Sequence, residues 1–176
     1  QHGIVLSEDE DDSEPTIVSA AIFLDDQNAR MEITSNETLD VTPASQVSLS
    51  SLILKNHTTT VDNELHLQLT ASGVILLDGT TVTITLTEAQ RVQALYHSNT
   101  PGGDGHPLVF QSLNAAFKDV AQNLALVSSN LTVTETKDST PPTITAVAID
   151  LGTGILTFDA SETLDFTPQL QYGMWD

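Results

Sequence analysis

The sequence predicts an all-β fold, two sheets packed as a sandwich with one short helix among the strands. Three observations lead there. Threonine and serine are abundant and hydrophobic residues reach 39% while aromatics are only 5%, a composition suited to half-buried sheet rather than to disorder. Short alternating apolar and polar runs recur between clusters of turn-forming residues. A single stretch has the spacing of a helix. At 176 residues the chain can bury one well-filled core and is too short for two average domains.

The first strand, "TIVSAAIFL", puts Val18, Ala20, Ile22 and Leu24 on an inner face and Phe23 on the outer one. In the second, Met31 and Ile33 face in while Arg30, Glu32 and Thr34 face out. "QVSLSSLILK" is a third strand, and "ELHLQLT" alternates Leu65, Leu67 and Leu69 with His66, Gln68 and Thr70. "GVILLDGTTVTITL" carries the Asp78-Gly79 signal of a tight hairpin turn. Thr87 opens "TEAQRVQALYH" with Gln90 placed for a capping box, and Ala89, Val92, Leu95 and Tyr96 form the apolar face of the helix. "NTPGGDGHP" is a loop, "PLVFQS" a strand, "LNAAFKD" a turn and "NLTVTET" the closing strand.

The chain then repeats itself. "SNETLDVTP", residues 35–43, returns as "ASETLDFTP", residues 160–168, and Pro15-Thr16-Ile17 returns as Pro142-Thr143-Ile144. Residues 3–16 lie over residues 130–143 without a gap, and the turn "DDQNA" has shrunk to "GTG". Val18, Ala20, Ile22 and Leu24 lie over Thr145, Val147, Ile149 and Leu151; Met31 and Ile33 lie over Leu156 and Phe158, whereas Phe23 lies over Asp150. Residues 1–14 are therefore expected to be the last strand and linker of a preceding module, residues 15–141 one complete module, and residues 142–176 the first strands of a following one.

Charge and motifs narrow the function. Five Lys and Arg stand against 24 Asp and Glu, a net charge of -19, which disfavours nucleic acid and anionic lipid and favours cations. There is no cysteine, so disulfides and thiolate metal sites are excluded. No apolar run is long enough to insert in a membrane as a helix, and the opening Gln without a leader reads as a processed chain or a piece of a longer one. The histidines His2, His57, His66, His97 and His106 share no metal-ligand spacing. "GGDG" at residues 102–105 lacks the basic charge and following helix of a phosphate cradle, and no nucleophile elbow, Walker loop or HExxH run occurs. No catalytic residue is predicted, and the protein is not expected to be an enzyme. Sequons at Asn36, Asn56 and Asn130, with the acidity and the lack of cysteine, predict an extracellular chain carrying N-linked glycans.

The linker "DSTPPT", the second strand running into "SET", the turn-flanked "GTTVTITLT" and "FKDVAQN", similar to a "KDxxGN" motif, together resemble the bacterial-type immunoglobulin-like modules found in tandem in S-layer proteins, adhesins and other large microbial surface proteins. Gln122 stands where that family usually has Gly. The resemblance implies an immunoglobulin-like β-sandwich working as a spacer or adhesive module in a surface stalk or filament, with no chemistry of its own. It also implies a calcium site near a module junction. Glu37, Asp119 and Asn123 are the expected ligands, because their strand-end motifs converge at one pole. A competing reading makes "LDVTP" an Asx turn in which Asp40 caps local amides. The acid run of residues 8–12 is not repeated and is read as a solvated linker.

The ends carry the functional expectation. Val147, Ile149, Leu151, Leu156 and Phe158 form an apolar face with no second sheet, and leaving each large side chain uncovered forfeits about 1.5–3 kcal/mol. Ile4 and Leu6 belong to a closing strand whose own module is missing. Either neighbouring repeats of one long chain cover these surfaces, or other copies do so head to tail by strand addition, with Phe23 and Trp175 as contact residues. The expected function is a structural subunit or repeat of an extracellular filament or surface fibre. The alternative is an adhesive or carbohydrate-binding module, which would need a cluster of exposed aromatics, and only Tyr96, Tyr172 and Trp175 are available besides five Phe.

Overall fold

Alternation fixes the first two strands, and a bulge corrects their phase. In the computed structural model, which describes residues 9–25, 29–56, 67–70 and 72–165, β1 (Ile17–Phe23) pairs antiparallel with β2 (Arg30–Leu39). The register shifts between Ile17 and Ser19, so Ile17 turns inward and Val18, expected in the core, is 52% exposed. Ala20, Ile22, Leu24, Met31 and Ile33 are buried as their spacing predicts. Phe23 faces outward and is half-buried, with the guanidinium of its register partner Arg30 lying 3.8 Å from the ring centroid.

The chain continues through two 3-10 turns (Ala44–Gln46 and Leu49–Ser51) before β3 (Leu52–Asn56), so only the second half of "QVSLSSLILK" is strand. The serine hydroxyls explain the delay: Ser48 Oγ lies 3.3 Å from Ser50 Oγ and 3.0 Å from Ser51 Oγ, local bonding that competes with a ladder. Then come β4 (Leu67–Gln68), β5 (Gly73–Val74), β6 (Gly79–Thr85), α1 (Glu88–Tyr96), β7 (Leu108–Ser112), β8 (Ser128–Thr132) and β9 (Thr134–Thr136). They make a five-stranded sheet, β5-β6-β2-β1-β9, and a four-stranded sheet, β4-β3-β7-β8. All pairs are antiparallel except β9 on β1. The closing run "SSNLTVTET" thus changes sheets at the buried Val133. Ile22, Met31 and Ile84 from one sheet and Leu52, Leu54 and Phe110 from the other belong to one buried cluster. Each such side chain contributes about 1.5–3 kcal/mol.

Two local expectations change. Asp78-Gly79 is not a two-residue hairpin corner: Gly73 stands opposite Thr85 and Val74 opposite Ile84, while Asp78 Oδ1 accepts the Val41 N–H at 2.9 Å and ties the end of β2. In α1 the capping box forms, with Thr87 Oγ1 accepting the Gln90 N–H at 3.3 Å and Gln90 Oε1 accepting the Thr87 N–H at 2.9 Å. The buried face, however, is Gln90, Arg91 and Ala94; Ala89 and Tyr96 are exposed, and Val92 and Leu95 are half-buried. Arg91 goes inside because each end of its guanidinium finds an acceptor: the Glu88 carboxylate at 2.8 and 2.9 Å, Asp138 Oδ2 at 2.9 Å and the Leu24 carbonyl at 3.1 Å.

The chain divides into two compact units, Gln1–Asp138 and Ser139–Asp176. Among its described residues the second holds an antiparallel hairpin, β10 (Ile144–Asp150) and β11 (Ile155–Ala160). Its pairing repeats that of β1 and β2. Ile144 faces Ala160, a bulge follows, then Ala146 faces Asp159, Val147 faces Phe158 and Ile149 faces Leu156. In the first unit Ile17 faces Ser35, the bulge follows, and Ser19, Ala20 and Ile22 face Thr34, Ile33 and Met31. Val147, Ile149, Leu151, Leu156 and Phe158 are all at least half exposed. The expected contact residues Ile4, Leu6 and Trp175 lie outside the described residues.

Candidate metal centre

The site grows from an irregularity at the end of β2. Ser35 continues the inward face of Met31 and Ile33, and between Thr34 and Leu39 the register with β6 shifts, which interrupts the ladder over residues 35–38. Ser35 Oγ donates to the Thr16 carbonyl at 3.2 Å, and Asn36 Oδ1 accepts the Thr16 N–H at 2.7 Å, so this end of β2 is pinned to the entry of β1. Glu37 follows, half-buried.

The facing wall comes from "FKDVAQN". Asp40 donates its N–H to the Lys118 carbonyl at 2.8 Å, and Leu39 bridges Asp119. The loop turns back at Gln122, whose φ is 77°, and the Gln122 N–H donates to the Asp119 carbonyl at 3.2 Å. A side chain at this left-handed position costs about 1–2 kcal/mol of strain. Asp119 is 3% exposed; its carboxylate accepts the Asn123 N–H at 2.8 Å and Asn123 Nδ2 at 2.9 Å.

The third wall is the linker ahead of β1. Asn123 Nδ2 also donates to the Asp11 carbonyl at 2.8 Å, and Asp11, Glu37 and Asp119 each present a carboxylate oxygen within 4.8 Å of the other two. Loss of water around Glu37, and then the neighbouring charges of Asp11 and Asp119, push its carboxyl above the usual range. Glu37 Oε1 is buried and has no hydrogen-bond partner. Three converging carboxylates and an unmatched oxygen suit a hard cation such as Ca²⁺, which takes oxygen ligands from scattered backbone positions.

Of the expected ligands, Glu37 and Asp119 are brought together, while Asn123 turns its amide nitrogen to the Asp119 carboxylate and the Asp11 backbone carbonyl and braces the loop rather than offering an oxygen. Asp11 was missed. The linker reading took the acid run as a block, yet in the repeat Asp11 lies over Asp138, so an aspartate persists there while Asp9, Glu10 and Asp12 lie over Thr136, Lys137 and Ser139. The Asx-turn reading of Asp40 also has a counterpart, since its Oδ1 accepts the Thr42 N–H at 3.2 Å.

The sequons fall in different surroundings. Asn36 and Asn130 are exposed, Asn130 at a φ of 58°. Asn56 is 7% exposed, and its Nδ2 donates to Asp104 Oδ2 at 2.6 Å and approaches His97 Nδ1 at 3.0 Å. Burial alone would raise Asp104; hydrogen bonds from the His106 N–H and from Asn56, with the charges of His106 and His97, outweigh it and hold that carboxyl below the usual range. His2, His57 and His66 lie outside the described residues. No helix among the described residues is long and apolar enough to cross a membrane.

No family model, no curated protein and no solved structure matches this chain. The functional reading therefore rests on its own residues and geometry.

Proposed function

We propose that the chain is a stretch of a tandemly repeated immunoglobulin-like β-sandwich that serves as a structural module of an extracellular fibre or surface stalk, glycosylated and without catalysis. The observation that carries this reading is the agreement of the two hairpins. β1–β2 and β10–β11 share strand register, bulge position and pinning bond: the Asn36 N–H donates to the Thr16 carbonyl at 3.0 Å, and the Ser161 N–H donates to the Thr143 carbonyl at 2.8 Å. One hairpin has a finished core over it and the other presents the same face open, which is what successive units of an array require.

Strand order supports the immunoglobulin-like class. β1, β2, β6 and β5 neighbour one another as strands A, B, E and D do in such sandwiches, and β3, β7 and β8 follow as C, F and G. The open face of β10–β11 fits contact with a neighbouring unit, whether the next repeat of one long chain or another copy arranged head to tail. The Asp11, Glu37 and Asp119 carboxylates fit a calcium ion at the end where the linker enters the sandwich.

Negative-stain electron microscopy of the native material tests the reading. Extended fibres or beaded stalks are expected. Isolated globular particles at all protein concentrations, with no longer parent chain, would sink it.

A further inference from the structure

The first and last described strands of the first unit run side by side in the same direction, and that decides how the unit meets a pull on its two ends. β9 pairs parallel with β1, with Ala21 beside Thr134, Ile22 beside Glu135 and Phe23 beside Thr136, and the Leu24 N–H donates to the Thr136 carbonyl at 3.1 Å. The linker enters at the Ile17 end of this pair and the chain leaves at the Thr136 end. Tension therefore drags β1 and β9 past each other along their own axis. Bonds loaded in this way stretch together and must fail together, whereas the bonds of a ladder opened from one end fail singly.

By position β9 is the weaker partner. It stands at the edge of the five-stranded sheet against β1, whereas β1 also has β2 on its other side. Arg91 reinforces that edge. Its Nη1 donates both to the carbonyl of Leu24, which follows β1, and to Oδ2 of Asp138, two residues beyond β9, at 3.1 and 2.9 Å. The same guanidinium is fixed to α1 by the Glu88 carboxylate at 2.8 and 2.9 Å and is 1% exposed. A pull arriving from beyond Asp138 must break a buried ion pair before it reaches β9, where water is not at hand to take over the broken bonds. At the entry the linker is held by single bonds spaced along it, from Asn123 Nδ2 to the Asp11 carbonyl and from the Leu126 N–H to the Pro15 carbonyl, each at 2.8 Å.

We infer that β1, β9 and the Arg91–Asp138 pair form a shear lock, and that the first unit carries tension along the chain without opening. This task rests on the stalk reading for the source of the tension, while the lock itself is a property of a single unit. The β1–β2 ladder supplies the contrast. Its strands are antiparallel, with Ile17 opposite Ser35, so Ser13 and Thr38 lie at the same end of the pair. Pulling those two residues apart peels β1 from β2 one bond at a time.

The sequence has no cysteine, so two introduced thiols place the handles of an optical trap on the full chain, and Ser13, Thr38 and Ser139 are exposed sites for them. At one constant force, the chain held by Ser13→Cys and Ser139→Cys should survive roughly tenfold or more longer than the chain held by Ser13→Cys and Thr38→Cys, since forced opening is governed by the unfolding rate. Asp138→Asn should shorten survival about tenfold in the first geometry and leave the second unchanged, because its bond is intact in the native state and broken at the barrier. Ile53→Val, a buried change in the other sheet with a similar cost in urea, should leave both survival times within about twofold, because its contacts outlast the lock. Equal survival in the two geometries would overturn the lock. So would an Asp138→Asn chain that holds as long as the parent, or an Ile53→Val chain that fails as early as Asp138→Asn. Fibres whose units lack the lock would strike this inference alone, and globular particles that keep it would strike the fibre reading alone.

Discussion

Arg91 Nη1 donates to Asp138 Oδ2 at 2.9 Å, and this bond ties the helix to the last residue of the first unit. Arg91 is 1% exposed, and the Glu88 and Asp138 carboxylates and the Leu24 carbonyl are among the groups that compensate its buried charge. Arg91→Ala should destabilise the first unit by about 3–5 kcal/mol, because it strands acceptors and opens a cavity. Asp138→Asn keeps an acceptor and loses a charge, so about 1–2 kcal/mol is expected. Urea unfolding of the two variants measures both, and an Asp138→Asn protein as stable as the parent would deny that the charge of Asp138 matters.

The bulge in β1 gives a second prediction. Val18 and Ile22 look alike in the alternating pattern, yet one is exposed and the other buried. Val18→Thr should change stability by no more than about 0.5 kcal/mol, whereas Ile22→Ala should cost about 2–5 kcal/mol. Thermal unfolding followed by circular dichroism separates them.

That pair also shows how far the sequence could be read. The inward residues of β2 and the capping box of α1 were legible because each follows from a local period or a fixed spacing. Val18 was not, since a bulge inserts one residue without changing composition; its repeat counterpart Thr145 carried the hint, because a polar residue there suits an outward position. Arg91 was hidden for another reason. A buried arginine is intelligible only once its partners are known, and Asp138 lies far along the chain. At the candidate metal centre, Glu37 and Asp119 were legible from their strand-end motifs. Asp11 was not, because it sits in a run of acids that local rules treat alike.

Glycan placement follows from burial. Expressed in a eukaryotic secretory host, the folded protein is expected to carry glycans at Asn36 and Asn130 and none at Asn56, whose Nδ2 is held by Asp104. Peptide mapping after release of glycans in heavy-oxygen water checks this. A fully occupied Asn56 in folded material would mean that the Asn56–Asp104 bond does not persist.

The raised Glu37 carboxyl makes the metal reading testable through pH. An acid whose folded pKa lies above its unfolded one holds more protons when folded, so stability falls as pH rises from the ordinary carboxylate range through the raised pKa. In chelator the first unit should therefore lose stability across that interval, and Glu37→Gln should remove the loss and be the more stable protein near neutral pH. Calcium should reverse the order. An ion bound to the folded state alone adds about 2–3 kcal/mol at a hundredfold excess over its Kd, and it favours the charged Glu37 that chelator penalises. Glu37→Gln and Asp119→Asn should each lose most of that gain. Thermal unfolding of the three proteins in chelator and in calcium decides the matter: an equal calcium shift in all of them would place the ion elsewhere, and no shift in the parent would leave Asp11, Glu37 and Asp119 as a strained acidic cluster.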